Sequence, residues 1–271
     1  MAFPYRLISA FGVLARVRRR YTEIHASLLT KGLSFSLIVA TVPLLFMLLA
    51  VGSFFVTPQL VELVESEFLG FLPEGVRNGL INGVKQYSRN PGSLSLITVG
   101  IFFLAVHNLF LDLHRTVSIA IRGSGPSGHA GSRLVALAGN ALFLVFLYVA
   151  TLVSTAARWA VHLTDIHPGL ISAGARALSV VLIALVFYAV FRAGAQSRLR
   201  FIPAALISLL ASVIWQAVLS GGSAIVQAAG TRFLAYGVLA WAIVFLVFMR
   251  VMAEILVYAA LFVREKALPE E

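Results

Sequence analysis

Arg250 and Glu254 are ionisable residues inside a long apolar stretch, and their types make them candidates for a chemical role. They are the two charges within residues 233–263, and their spacing of four places them on one face of a helix, where they can pair. A helix of this length extends about 46 Å, which exceeds the roughly 30 Å of membrane hydrocarbon. Arg250 is therefore predicted near the middle of a membrane span, where a charge is costly unless it is paired or faces protein or water.

The second apolar stretch of the chain is the most polar one. On a helix its Asn108, Asp112 and Arg115 share one face, and His107 and His114 lie close together on an adjacent face. Polar and charged side chains inside a membrane usually mark ligand pathways or relays, so we expect this helix to contribute to a site.

Polar residues from four apolar stretches are predicted at overlapping depths, which indicates one shared intramembrane site. Asp112 is predicted at a depth similar to Arg250 and could complete a triad with it. The alternative is a set of structural interhelical hydrogen bonds, typically worth under about 1–2 kcal/mol each, which we favour for Asn140 and Gln216. For the charged residues the two interpretations stay equal. The candidate binding residues are His107, Asn108, Asp112, Arg115, Asn140, Gln216, Arg250 and Glu254.

The composition indicates a polytopic membrane protein. Of 271 residues, 60% are hydrophobic and 12% are charged, whereas soluble domains carry about 25% charged residues. We find no repeat or linker, so residues 1–271 are predicted to form one integral, all-α membrane domain. Six stretches of spanning length are predicted, at about 32–56, 94–121, 134–157, 171–191, 201–226 and 233–263.

Two regions outside these spans are predicted to form amphipathic helices. The first is basic and N-terminal, and we expect it to lie in the interface plane beside anionic lipid, although a solvated charge run or nucleic-acid arm is the alternative. Its apolar stripe comprises Leu14, Val17, Tyr21, Ile24 and Leu28, and its predicted membrane-interface residues are Arg16, Arg18, Arg19 and Arg20. The second region, residues 57–92, predicts two short amphipathic helices on the outer surface, separated by Pro73.

The distribution of positive charge predicts the topology. With the N-terminus in the cytoplasm, fourteen of the 21 Lys and Arg residues lie in cytoplasmic segments and six in outer ones, so both termini are predicted to be cytoplasmic. Because these charges flank the apolar segments, the net charge of +10 does not predict nucleic-acid binding. We predict no cleavable signal peptide. The absence of cysteine excludes a disulfide framework and thiolate chemistry.

One loop carries residue types that could bind a metal. His162, Asp165 and His167 lie within six residues, but their spacing fits no standard site and Pro168 follows. We therefore interpret the loop as unliganded and predict no metal and no cofactor.

Four features together resemble a known family. They are the basic amphipathic N-terminal segment, the first span with its central Pro43, IPAALISLLASVIWQ at 202–216, and YGVLAWAIVFLVFMRVMAEILVYAALF at 236–262. These features resemble the YihY/virulence factor BrkB family of bacterial inner-membrane proteins, once labelled ribonuclease BN. That family usually has a glutamate late in the final span, which Glu254 matches, whereas FFLAVHNLFLDLH in the second span departs from its pattern. The resemblance implies a six-helix fold and an envelope role with transport as the candidate, but no settled substrate.

Three classes of function are compared. The leading hypothesis is a transporter or lipid-handling protein whose intramembrane polar cavity binds an amphipathic or anionic ligand, with membrane lipids as partners. The alternative is a non-transporting scaffold whose charges lock the bundle. We reject an enzyme, including the old ribonuclease label, because nuclease chemistry usually needs clustered carboxylates or histidines that hold metals. The oligomeric state stays open, a homo-oligomer included.

Overall fold

The computed structural model describes residues 3–55, 78, 82, 96–125, 131, 133–139, 141, 168–196, 199–232 and 237–268. Within these ranges the protein is helical and has no strand, which confirms the all-α prediction. The helices are α1 (Phe3–Glu23), α2 (Ala26–Phe55), α3 (Leu96–Arg122), α4 (Pro168–Ala195), α5 (Phe201–Arg232) and α6 (Gly237–Ala267), and residues 133–139 are helical too.

Five of the six predicted spans coincide with described helices, although their ends shift by up to six residues. Most of the predicted third span, and the outer pair of amphipathic helices at 57–92 apart from residues 78 and 82, lie outside the described residues. Three described segments are long and apolar enough to cross a membrane, and a fourth is added if the bent pair α1–α2 forms one span. The three segments are Ala177–Ala195, Phe201–Gly222 and Ile243–Ala267.

The long helices form a closed ring. In chain order α2 packs on α3, α3 on α4, α4 on α5 and α5 on α6, and α6 returns to α2; α3 also contacts α6 across the ring. Small side chains on α5 allow close helix contact, as their spacing predicts, because all four are buried. These residues are Ala204, Ser208, Ala211 and Ser212.

A sharp bend separates α1 from α2. The two helices meet at 73°, and His25 adopts a φ of 50°, in the left-handed region that non-glycine residues seldom occupy. The His25 amide donates to the Thr22 carbonyl at 3.1 Å, which closes α1, and the Leu28 amide donates to the His25 carbonyl at 2.8 Å as α2 begins. Because α2 is one of the long apolar helices, α1 is turned strongly away from the direction in which α2 runs.

Segments predicted to share the cytoplasm meet at one end of the ring. This end contains α1, the end of α3, the α4–α5 connection and the end of α6. The contacts that join them are Arg16 Nε to Glu265 Oε2 (2.8 Å), Arg264 Nη1 to Ile121 O (2.6 Å), Arg200 N to Ala267 O (2.8 Å), and Arg122 to Gln196.

Candidate intramembrane binding site

The carboxylate of Glu254 is the centre of a hydrogen-bond network. Arg250 donates to Oε1 from Nε at 3.1 Å and from Nη2 at 2.9 Å, which is the i,i+4 pair that the spacing predicts. Tyr21 donates its hydroxyl to Oε1 and Oε2 at 2.9 and 2.8 Å, and the Thr30 hydroxyl lies 3.1 Å from Oε1. Residues from α1, α2 and α6 therefore hold one carboxylate.

The first turn of α2 supplies the polar side of the network. Ser27 Oγ accepts a hydrogen bond from Arg250 Nη2 at 3.3 Å, and Thr30, one turn later, is fully buried. Ala26 and Ala253 are also fully buried, so small side chains stand where the start of α2 approaches α6. The sequence thus places hydroxyl groups where α2 begins and small residues where the helices come close.

An aromatic pair fixes the approach of α1. The rings of Tyr21 and Tyr258 are stacked, with centroids 4.9 Å apart and planes inclined by 10°. Tyr258 lies one turn beyond Glu254 on α6, so the stack directs the Tyr21 hydroxyl toward the carboxylate. This contact joins the N-terminal helix to the last helix of the chain.

Arg250 and Glu254 are partly buried on α6, with side chains that are 31% and 23% exposed. At about 100° per residue they share a helix face with Val247, Val251 and Tyr258, all of which are exposed. The pair therefore lies partly buried between α2 and α6, and α1 contacts it through Tyr21.

Arg250 keeps donors for another partner. Nε and Nη2 are used by Glu254 and Ser27, and within the described part of the chain Nη1 has no partner. A guanidinium carries five N–H donors in a planar fork that suits carboxylate and phosphate groups. The site can therefore hold an anionic group without breaking the Arg250–Glu254 pair.

The predicted triad with Asp112 does not form. Asp112 Oδ2 accepts a hydrogen bond from Ser36 Oγ at 2.5 Å, and its Oδ1 lies 4.0 Å from Arg115 Nη1. Ser36 and Ser27 are nine residues apart on α2, which places them about 180° apart around the helix. Asp112 and Arg250 therefore lie on opposite sides of α2, although their predicted depths are similar.

The other predicted site residues do not converge on this network. His107 is half-buried and stacks on Phe103 with centroids 6.2 Å apart, while Asn108 is exposed on α3. Gln216 is half-buried on α5. Asn140 lies outside the described residues.

Sequence reasoning missed Tyr21, Ser27 and Thr30 as site residues. Tyr21 was assigned to the apolar stripe of α1, and the hydroxyl that its ring carries was the signal that could have identified it. Ser27 and Thr30 have the i,i+3 spacing of one helix face, but only the bend between α1 and α2 brings that face to Glu254.

The basic helix α1 is docked onto protein more closely than predicted. Val17, in the predicted apolar stripe, is fully buried in the core, whereas Leu14 is 53% exposed. Leu28, predicted at the end of the same stripe, lies beyond the bend on α2 and is 65% exposed. Val17 therefore packs against protein. Three of the four predicted interface arginines are in ion pairs, and Arg18 is exposed. The pairs are Arg16–Glu265, Arg19–Glu23 and Arg20–Glu23.

Comparison with known proteins identifies a family. The model of the family described as Virulence factor BrkB matches residues 17–267, a range that includes the polar network and every helix from α2 to α6. No curated protein and no solved structure matches the chain. The family match and the apolar helices together indicate a membrane protein, and the chain belongs to the virulence factor BrkB family.

Proposed function

We propose that this protein is a six-span protein of the bacterial inner membrane that transports or handles an anionic, lipid-like ligand, and that Arg250 binds the ligand's anionic group. The observation that carries the proposal is the partly exposed guanidinium of Arg250, whose Nη1 donors are free among the described residues. In this arrangement both termini are cytoplasmic, and α1 lies in the inner interface.

The position of α1 supports a site in the inner leaflet. If α1 lies at the interface, Tyr21 places Glu254 just beneath the head groups, and Arg250 lies four residues, about 6 Å, deeper. Exposed basic residues on α1, such as Arg18, would attract anionic lipid to this surface. The ligand therefore reaches the site laterally, from the inner leaflet.

The surroundings of Arg250 suit an amphipathic molecule. Val247 and Val251 are exposed on the same face of α6, and Leu28 is exposed beside Ser27 on α2. An anionic head group could bind the Nη1 donors while its hydrocarbon chain lies along these apolar side chains. A small hydrophilic anion would leave this apolar surface unused, so the arrangement favours a lipid-like ligand.

Native mass spectrometry of the purified protein tests the proposal. The protein is presented with equal amounts of phosphatidylglycerol and phosphatidylcholine, and we expect the wild type to retain the anionic lipid preferentially. Arg250→Met combined with Glu254→Met should lose this preference, because the pair is removed without leaving one buried charge. Arg115→Met, on the other side of α2, is the matched control and should keep it. A double variant with unchanged preference would contradict the proposal.

A non-transporting scaffold is the second candidate, because Glu254 accepts all its hydrogen bonds from the chain itself. Complementation of a deletion strain separates the two. A double Met variant that folds and complements supports the scaffold, whereas one that folds and fails to complement supports ligand handling. The proposal assigns no catalytic role, and tRNA cleavage by the purified wild type with Mg²⁺ would contradict that part of it.

A further inference from the structure

Three side chains on α3 carry buried polar atoms that have no hydrogen-bond partner in the part of the chain that the structure describes. His114 is only 3% exposed, and neither of its ring nitrogens has a hydrogen-bond partner within the described part of the chain. The same holds for Oγ of Ser118, which is fully buried, and for Nδ1 of His107, which is half-buried. None of these atoms belongs to the Arg250–Glu254 network.

The three residues lie along one line of the helix. They are separated by seven and four residues, so at about 100° per residue their directions differ by no more than about 40°. The line extends about 17 Å along α3 at 1.5 Å per residue. It ends at Ser118, one turn before Arg122, and beyond Arg122 the chain at Gly123 and Ser124 is exposed.

The Ser118 end of the line lies beside the contact between α3 and α4. A Cβ atom at Gly194 of α4 would lie 2.6 Å from Val117 Cγ1 and 3.3 Å from the Ser118 amide nitrogen. Asp112, by contrast, projects toward Ser36 of α2. The unpartnered atoms therefore lie on a different side of α3 from the residues bound to α2.

Leaving such atoms unpaired is costly, since each unsatisfied buried group destabilises a protein by about 1–3 kcal/mol and more than about 90% of buried polar groups are paired. An apolar occupant could not donate to or accept from them. A single metal ion could not join the two imidazoles, because His107 and His114 are separated by about 10 Å along the helix, whereas Zn–N bonds are about 2.0–2.1 Å. Water, which typically makes about three hydrogen bonds in protein interiors, satisfies both donors and acceptors.

We propose that His107, His114 and Ser118 line an internal file of ordered water molecules along α3, which water reaches from the Arg122 end. One water molecule bridges His114 and Ser118, whose i,i+4 spacing places their side chains on the same face. Further molecules extend the file to His107. The file gives the bundle a hydrated path that is separate from the Arg250–Glu254 network.

Water-edited solid-state NMR of the full-length protein, labelled with ¹⁵N-histidine in proteoliposomes, tests the file. The His114 signals are assigned by their loss in His114→Leu. In the wild type we expect magnetisation to pass from water to the His114 ring at a rate comparable to that of the exposed His25. A wild-type His114 ring that receives no magnetisation from water would overturn the proposal, since His114→Leu serves only to assign the signal.

A pair of serine variants tests the geometry. Ser118→Ala removes one of the roughly two to four polar partners that hold a bridging water, so transfer to His114 should fall about twofold. Ser212→Ala is the matched control, because Ser212 is also fully buried but its hydroxyl donates to the Leu209 carbonyl at 2.7 Å. It should leave the His114 signal unchanged. Equal signals in the two variants would contradict the role of Ser118.

Discussion

Tyr21 on α1 donates its hydroxyl to both carboxylate oxygens of Glu254 on α6, at 2.9 and 2.8 Å, across 233 residues of chain. Arg250 approaches the same carboxylate from the preceding turn of α6, and Thr30 approaches from α2. The contact links the helix before the bend to the last helix of the ring. The position of α1 is therefore coupled to the position of Glu254.

Removing only the hydroxyl tests this link. Tyr21→Phe keeps the ring that stacks on Tyr258 but takes one donor from a partly buried carboxylate, and we expect it to lower the free energy of unfolding by about 1–3 kcal/mol. Tyr258→Phe is the matched control on the other ring of the stack and should change the free energy by less than about 0.5 kcal/mol. Thermal unfolding in detergent measures both. A Tyr21→Phe loss no larger than that of the Tyr258→Phe control would show that the hydroxyl of Tyr21 does not fix α1.

We expect mutations of Arg250 and Glu254 to have non-additive effects on the free energy of unfolding. Arg250→Met or Glu254→Met alone leaves the other charge without its partner, and breaking a buried pair commonly costs about 3–5 kcal/mol. Because the two side chains are partly exposed, we expect values at or below the lower end of that range. The double Met variant should cost less than either single variant, as judged by the same unfolding measurement. A double variant whose cost equals the sum of the singles would mean that the pair contributes no coupling.

The sequence predicted the helices better than it predicted their contacts. Apolar runs identify helices because lipid allows few other structures, and the spacing of Arg250 and Glu254 identifies a pair on one helix. Depth can also be calculated, since each residue adds about 1.5 Å. The rotation of one helix relative to another cannot be obtained in this way. That is why Asp112, at the depth expected for a partner of Arg250, instead bonds to Ser36 on the other side of α2.

The Asp112–Ser36 contact and the Arg250–Glu254 network are separate, so we expect the effects of mutations in them on the free energy of unfolding to be additive. Asp112→Asn weakens the contact with Ser36, and Glu254→Gln weakens the contacts with Arg250 and Tyr21. Because the two sites share no partner, the changes in unfolding free energy should add within about 0.5 kcal/mol. A double-mutant cycle measures the coupling. A larger coupling energy would contradict this separation and would support the single shared site predicted from the sequence.

Gly194 lies where α3 and α4 are too close to accommodate a larger side chain. Its missing Cβ would lie 2.6 Å from Val117 Cγ1, and the Val117 carbonyl carbon is only 3.3 Å away, so Gly194→Ala forces the two helices apart. We expect a loss of about 1–3 kcal/mol in stability, as is typical of overpacking. Gly100→Ala is the matched control, because nothing lies within 4 Å of its added Cβ and alanine favours helix by about 1 kcal/mol. A stabilised Gly194→Ala variant would contradict the close contact.

Four segments meet at one end of the ring, so we expect cysteines introduced into them to be labelled from the same side of the membrane. Arg264 bonds the end of α3, and Arg200 bonds the end of α6, so the 122–133 and 192–200 connections and the C-terminus should share a compartment. The positive-charge bias predicts that this compartment is the cytoplasm. Since the chain has no cysteine, Ser124→Cys and Ser88→Cys each provide one labelling site. A membrane-impermeant maleimide should label Ser124→Cys only in inverted vesicles and Ser88→Cys only from outside in intact spheroplasts. Labelling of Ser88→Cys only in inverted vesicles would reverse the assignment of the outer loop and contradict the six-span topology.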